Sequence, residues 1–278
     1  MSDVPMIRFN NGVEIPQLGF GVFQVPPAET KRAVLAAFEA GYRHIDTAEM
    51  YRNEEGVGAA FAESGLARDE VFITSKLNNG NHRHDDALRA FDGTLKALGI
   101  DQIDLFIIHW PLPAQDLYVE AWRALEEIYR DGRARAVGLS NFTARHIGRL
   151  LAETEVVPAL DQIELHPYLA QAEMRAFDAE HQIVTEAWSP LGGQGGSVLS
   201  DPTVAALGEK YGKTPAQVVL RWHIELGNVV IPKTAHPERM AENFDIFDFE
   251  LAPDDLAMIS GLDRNARVGP NPETFGRR

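Results

Sequence analysis

Short runs of β-branched and apolar residues recur along the chain at 43–45, 71–74, 103–108, 136–139, 160–164, 183–187 and 229–231, with one more near Leu18. Between them lie longer segments, 29–40, 85–98, 119–129 and 143–152 among them, whose apolar residues recur at the spacing of a helix with one buried face. Strict alternation of strand and helix predicts a parallel sheet, since parallel neighbours need a long crossover. An open doubly wound sheet alternates as well, but eight runs at roughly 25 to 45 residues apart suit closure into an α/β (β/α)8 barrel better than five or six open strands. Ahead of the first run, 7–15 reads as a β-hairpin around Asn10, Asn11 and Gly12, residues that tolerate the positive φ of a tight turn. It is placed to plug the N-terminal end of the barrel. The glycine cluster from Gly192 to Gly196 falls in a βα loop, and no linker or repeat divides the chain, so one domain over 1–278 is expected.

Composition narrows the function classes. A hydrophobic fraction of 45 % with 24 % charged residues in 278 residues fits one large globular core. The formal charge of -15 argues against nucleic acid or an anionic membrane as partner, because both require a clustered cationic face. There is no cysteine, so disulfides and thiolate metal ligands are excluded. The N-terminus has no basic segment followed by an apolar one, and no 18 apolar residues run together. A cytoplasmic, monomeric protein acting on a small molecule is expected.

In a barrel of this kind reactive groups sit where strands end at the C-terminal face. Asp46 closes the second run, Tyr51 follows in the same loop, Lys76 closes the third run and His109 the fourth. Each alone has a bland reading: a helix cap, a packed ring, a solvated strand end, a core histidine. Together at one face they form an acid for carbonyl reduction. A free tyrosine is a weak acid with a pKa near 10, and an adjacent ammonium stabilises its phenolate, so Lys76 is expected to lower the Tyr51 pKa. Asp46 would keep Lys76 protonated, and His109 would orient the carbonyl oxygen.

At these residues the chain resembles the aldo-keto reductases: GYRHIDTAEMYRNEEGVG, the lysine of ITSKL, the histidine of LFIIHWP, GLSNF, and IPKT followed by Arg239, Glu242 and Asn243. Its length, EAWSPLG and the tail RVGPNPETF resemble the short bacterial branch that includes 2,5-diketo-D-gluconate reductases. The resemblance implies that Asp46, Tyr51, Lys76 and His109 are a catalytic tetrad and that the cofactor is NADPH, with NADH weaker. It implies that Ser140, Asn141 and Gln162 hold the nicotinamide carboxamide, that Trp188 stacks on the ring where most relatives have tyrosine, and that Leu191 lies in the pyrophosphate loop. It further assigns Lys233, Thr234 and Arg239 to the 2'-phosphate, and Glu242 and Asn243 to the adenine. A helix beginning near Pro237 would complete a local anion site on an acidic protein. His236 stands where close relatives carry arginine, which weakens discrimination against NADH. By the same resemblance Phe23, Tyr51, Trp110 and Trp188 line the substrate pocket, and Asn78 replaces a tryptophan found in many relatives. An asparagine there favours small or hydroxylated carbonyl compounds, or else bonds the following loop.

Other signals are weaker. Gly19, Gly21 and Gln24 make only part of a dinucleotide fingerprint, and GEKYGKT reads as a helix start capped by Thr214 with Pro215 in the first turn. His82 and His84 read as a polar surface, and no metal site is predicted. The alternatives to a reductase are a regulatory or binding protein on the same fold and a cofactor-independent isomerase or hydrolase using His109 as base.

Overall fold

Residues 4–193 and 197–276 are described by the computed structural model of the chain. The chain opens with the expected hairpin, in which β1 (Met6–Arg8) pairs antiparallel with β2 (Glu14–Pro16). Gly12 turns it at φ +88°, a left-handed conformation that costs a residue without Cβ nothing. Eight strands follow: β3 (Phe20–Gly21), β4 (His44–Asp46), β5 (Phe72–Leu77), β6 (Ile103–Ile108), β7 (Ala134–Ser140), β8 (Leu160–Glu164), β9 (Val184–Trp188) and β10 (Val229–Val230). Each pairs in parallel with its neighbour in chain order, and a bridge between Leu18 and Val230 joins the first edge to the last. The ring is closed, and the barrel is preferred over the open sheet for the reason that the strand count suggested.

Ten helices lie among the described residues: α1 (Pro27–Ala40), α2 (Glu54–Ser64), α3 (His84–Leu98), α4 (Tyr118–Arg130), α5 (Ala144–Glu153), α6 (Ala172–Glu180), α7 (Pro202–Tyr211), α8 (Pro215–Glu225), α9 (Pro237–Phe244) and α10 (Pro253–Ser260). The Thr214 hydroxyl accepts from Gln217 N and Pro215 opens α8, so GEKYGKT is a helix cap, as expected. Sequence periodicity passed over α2, which is short and carries two glycines. A Cβ on Gly58 would stand 2.2 Å from the Leu98 carbonyl oxygen, so the glycine lets α2 approach the end of α3.

Side chains of the strands alternate between two cores. Leu105 and Ile107 point inward, where Phe9 and Ile15 of the hairpin join Phe72, Ala136, Leu160 and Val229. Phe106 and Ile108 point outward beneath the helices, with Phe91 and Trp122. The hairpin is thus a plug with its own apolar contacts, and burial of a ring such as Phe9 contributes about 1.5–3 kcal/mol. Above this layer the inward positions become polar: His44 and Asp46 on β4, Thr74 and Lys76 on β5, Gln162 and Glu164 on β8, Glu186 on β9. No helix among the described residues is long and apolar enough to cross a membrane.

Candidate active site

Strand geometry brings the four candidate residues together. Asp46 and Thr74 are register partners, so Lys76, two residues on, stands one layer above and on the same inward face. Its ammonium is fully buried and donates to both carboxylate oxygens of Asp46 at 2.7 Å and to the Thr47 carbonyl at 2.9 Å. Burial alone would push Lys76 down. Its partners, first of all the Asp46 charge, outweigh that, and the pKa ends above the usual lysine value. Tyr51 ends a 3-10 turn, Glu49–Tyr51, that packs it over the pair, with Nζ of Lys76 5.1 Å from its ring centroid.

The expected lowering of the Tyr51 pKa is not what the structure gives. Burial pushes the phenol up, the Lys76 ammonium pulls it down, and Asp46 and Glu186 push it up again, to about 12. The ammonium's field is shared with two carboxyl groups, so it cannot offset the lost hydration of a phenolate. Tyr51 is therefore a reservoir of one proton at neutral pH, not a partly ionised phenol. His109 follows β6 with its ring edge-on to Tyr51 at 5.6 Å. Burial, with the Lys76 charge, lowers it to about 3, so the imidazole is neutral and has one N–H to give.

The residues expected at the nicotinamide lie around this group. Ser140 Oγ donates to the Gln162 carbonyl at 2.9 Å, and Asn141 Nδ2 donates to Ser140 Oγ and to the His109 carbonyl, each at 2.9 Å. The indole N–H of Trp188 donates to Asn141 Oδ1 at 2.8 Å. Asn141, at φ +63°, is thus a bracket between the aromatic ring and the candidate histidine, a role its motif did not disclose. Gln162 Nε2 donates to Asp46 Oδ2 at 2.8 Å and to Glu186 Oε2 at 2.7 Å. Its Oε1 accepts no hydrogen bond from the described residues.

Farther out, α9 begins at Pro237 as expected, and Thr234 Oγ1 accepts from His236 N at 3.1 Å. Lys233 and Arg239 are exposed there without an ion-pair partner among the described residues, although most basic side chains have one. His236 is exposed and lies 3.5 Å from Glu238, which diminishes what it can offer an anion. Asn243 is buried, and Glu242 accepts from the Thr214 hydroxyl at 2.8 Å, fixing it to the cap of α8. Leu191 is half-buried between two apolar clusters, Gly192 and Gly193 follow at positive φ, and Gly195 and Gly196 of the cluster lie outside the described residues.

The expected pocket walls also meet at this mouth. Phe23 is exposed with its ring 5.1 Å from that of Tyr51, and Trp110 packs at 4.4 Å on Phe275, a tail residue that strand periodicity could not reveal. Glu164 explains the tail's path: its carboxylate accepts from Val268 N at 2.6 Å and Gly269 N at 2.9 Å, seating Gly269 against the Trp188 indole. Asn78 is half-buried; its backbone N–H donates to Glu49 at 3.2 Å, and its side chain bonds no group among the described residues.

One further expectation does not hold. His82 is buried, 1 % exposed, with neither ring nitrogen bonded, whereas His84 is half-buried with its Nε2 3.2 Å from the Glu127 carboxylate, so the pair is not a common polar surface. Gly19 and Gly21 belong to no dinucleotide turn: a Cβ on Gly19 would strike the His44 ring at 2.4 Å, and Gly21 faces Lys233. No group of three or more acidic or histidine side chains among the described residues is placed to hold a metal. A concavity of about 290 Å³ lined by Asn10, Asn11, Tyr129 and Gln182 lies at the hairpin end, but it has no carboxylate, lysine or histidine. Chemistry, not the size of an opening, marks the upper site.

The sequence model described as "Aldo/keto reductase family" matches residues 17–264. An aldo-keto reductase of Mycolicibacterium smegmatis is 51 % identical over 271 residues, covering 98 % of each chain. The methylglyoxal reductase DkgA of Escherichia coli is 46 % identical over 276 residues, covering 99 % of this chain and 100 % of the relative. The crystal structure of a Bombyx mori aldo-keto reductase in complex with NADP superposes with a TM-score of 0.91 at 36 % identity, over 99 % of this chain and 97 % of that one. On fold, on the residues at the barrel mouth and on these matches, the chain belongs to the aldo/keto reductase family.

Proposed function

We propose that this protein reduces small aldehydes, ketones and α-dicarbonyls to alcohols with NADPH, Tyr51 giving the proton. The observation that carries the reading is the fully buried Lys76–Asp46 pair beneath a protonated Tyr51, beside a neutral His109 at the C-terminal mouth. Bound NADPH supplies the hydride. The residues present fit that cofactor: Gln162 Oε1 and the Ser140–Asn141 pair face a carboxamide, Trp188 offers a half-exposed ring, and two unpaired cations flank the Thr234 hydroxyl at a helix N-terminus. Leu191, Glu242 and Asn243 complete the pyrophosphate and adenine side.

The neutral His109 ring donates to the substrate oxygen and aims it at Tyr51. As negative charge grows on that oxygen, Tyr51 transfers its proton, and Lys76 stabilises the phenolate left behind. Asp46 keeps Lys76 charged throughout. A phenol at about 12 is a weak acid for the resting enzyme, but it is fully protonated, the form that reduction needs.

At the pocket, Phe23 and Trp110 supply apolar walls, and the unbonded amide of Asn78 offers a donor and an acceptor where an indole would fill space. Small α-dicarbonyls and keto-sugars fit this better than bulky aromatic ketones, and the methylglyoxal reductase named among the relatives points the same way. The protein is further proposed to act as a cytoplasmic monomer. The test is kcat/KM over a panel of α-dicarbonyls, keto-sugars and aromatic ketones, following NADPH oxidation. Turnover with the small dicarbonyls highest supports the reading; NADPH binding without turnover of any carbonyl would leave a regulatory protein on a reductase fold.

A further inference from the structure

Glu186 belongs to no part of that mechanism, yet it is fully buried at the centre of the barrel, two residues before Trp188 on the same inward face of β9. Gln162 is its register partner on β8 and Val229 its partner on β10. The titratable groups around it are His44 and Asp46 from β4, Lys76 from β5 and Tyr51 above. One carboxyl oxygen accepts from Gln162 Nε2 at 2.7 Å; the other has no hydrogen-bond partner and lies 3.7 Å from His44 Nε2, outside bonding range.

Gln162 Nε2 has two hydrogens, and both are committed: one to Asp46, one to Glu186. Two carboxyl acceptors on one nitrogen fix which way the amide points. The nitrogen must face into the barrel, so Oε1 faces the cleft. The same nitrogen joins the two carboxyl groups, and a charge on Glu186 therefore acts on Asp46, on the ammonium that Asp46 holds, and on Tyr51.

We propose that Glu186 is a positioning residue of the reductase site, which aims Gln162 at the cofactor and whose own ionisation weakens Tyr51 as an acid and sets the alkaline limit of carbonyl reduction. The inference rests on the reductase reading above. Burial, then the Asp46 charge, raises the Glu186 carboxyl to about 8, so at neutral pH it is uncharged and Asp46 is the only anion beside Lys76. Above that pH a second anion appears with one oxygen unbonded. Its charge is one of those that hold the Tyr51 phenol up near 12, and it pulls on the Gln162 amide N–H.

Two variants and two readouts test this. Glu186→Gln keeps an acceptor for Gln162 and cannot ionise, whereas Glu186→Leu removes the acceptor. For wild type and both variants, the affinity for NADPH is measured by cofactor fluorescence, and kcat for reduction of a small dicarbonyl is measured, each from pH 6 to pH 10. Expected is an alkaline limb in wild-type kcat that moves up by about one pH unit or more in Glu186→Gln, toward the limit set by Tyr51 itself. Glu186→Leu should bind NADPH about 2- to 10-fold more weakly at pH 7, the effect of one hydrogen bond, and Glu186→Gln should restore that affinity. An unmoved limb in Glu186→Gln overturns the proposal, as does equal NADPH affinity of a folded Glu186→Leu. Should wild type turn over no carbonyl, the reductase reading fails on its own, and the binding series still decides the positioning of Gln162.

Discussion

Asp46 and Asp104 are both buried carboxylates held by cations, at opposite ends of the barrel. Asp104, on β6 near the hairpin end, receives Arg68 at 2.5 Å, Arg135 at 2.7 Å and the backbone N–H of Ile73 at 2.8 Å. Its cations are guanidiniums, which keep their protons, and both reach partly into solvent, so little is lost in desolvating them. Asp46 receives a fully buried lysine and an amide, and the chain of contacts runs on through Lys76 to Tyr51 and through Gln162 to Glu186. The lower group closes on itself and ties three strands and a turn together. The upper group ends on a phenol, an imidazole and an amide oxygen that face the mouth with bonding capacity to spare. A charge with all its partners in the protein stabilises the fold; a charge relayed to groups with unused capacity does chemistry.

The largest effect on stability that the contrast predicts is at the lower end. Asp104→Ala leaves the Ile73 N–H unpaired and releases two arginines, and should cost about 3 kcal/mol, lowering Tm by about 8 °C. Per folded molecule kcat should not change. A variant with intact Tm and reduced kcat would erase the distinction between the two carboxylates.

Next in size is the removal of Lys233 or Arg239, the cations that have no ion-pair partner among the described residues. Each loss should weaken NADPH by about 1.5–3 kcal/mol while leaving NADH nearly unaffected, because in the proposed reading only the 2'-phosphate meets them. Titration of both cofactors checks this, and equal losses for the two would make these side chains ordinary surface charges.

The smallest expected effect concerns a third kind of carboxyl environment, with no cation paired to it among the described residues. Asp161 on β8 and Asp178 on α6 are both buried, and each has an oxygen without a hydrogen bond. Burial raises both, Asp178 to about 7, and the charge of Asp178 adds to the rise at Asp161. For an acid whose pKa is raised by folding, the protonated native state is favoured below the unfolded value, and that stability is lost as pH rises through the folded value. Tm should therefore fall between about pH 5 and pH 8. Asp178→Asn should flatten part of the fall, the remainder belonging to Asp161 and Glu186, which shift in the same direction. Identical slopes for Asp178→Asn and wild type would contradict the account of this pair.

Much of the barrel was legible because its signal is local: alternation along β6 and β8, a turn of Asn and Gly, a proline after a threonine. Asp46, Lys76 and His109 were legible because each is a polar residue at the end of an apolar run. Glu186 and Glu164 carried the same signal, sitting on the inward parity of their strands with Trp188 and Gln162, and counting in twos would have found them. The rest depends on contacts between distant segments. Nothing near His82 in the sequence says that its ring is buried, and nothing near Phe275 says that it meets Trp110. The direction of the Tyr51 shift was not readable either, since a nearby lysine argues for lowering, while burial and two carboxyl groups decide for raising.

The central claim, that the upper group delivers one proton from Tyr51 and that the Tyr51 hydroxyl is not needed for the fold, is tested most directly by Tyr51→Phe. Turnover of a small dicarbonyl, NADPH affinity by fluorescence and Tm should be measured on the same preparation. The account predicts a fall in kcat of about 10²- to 10⁴-fold, with NADPH affinity and Tm close to those of the parent protein. Near-normal turnover by Tyr51→Phe would contradict it and return the acid's role to another residue.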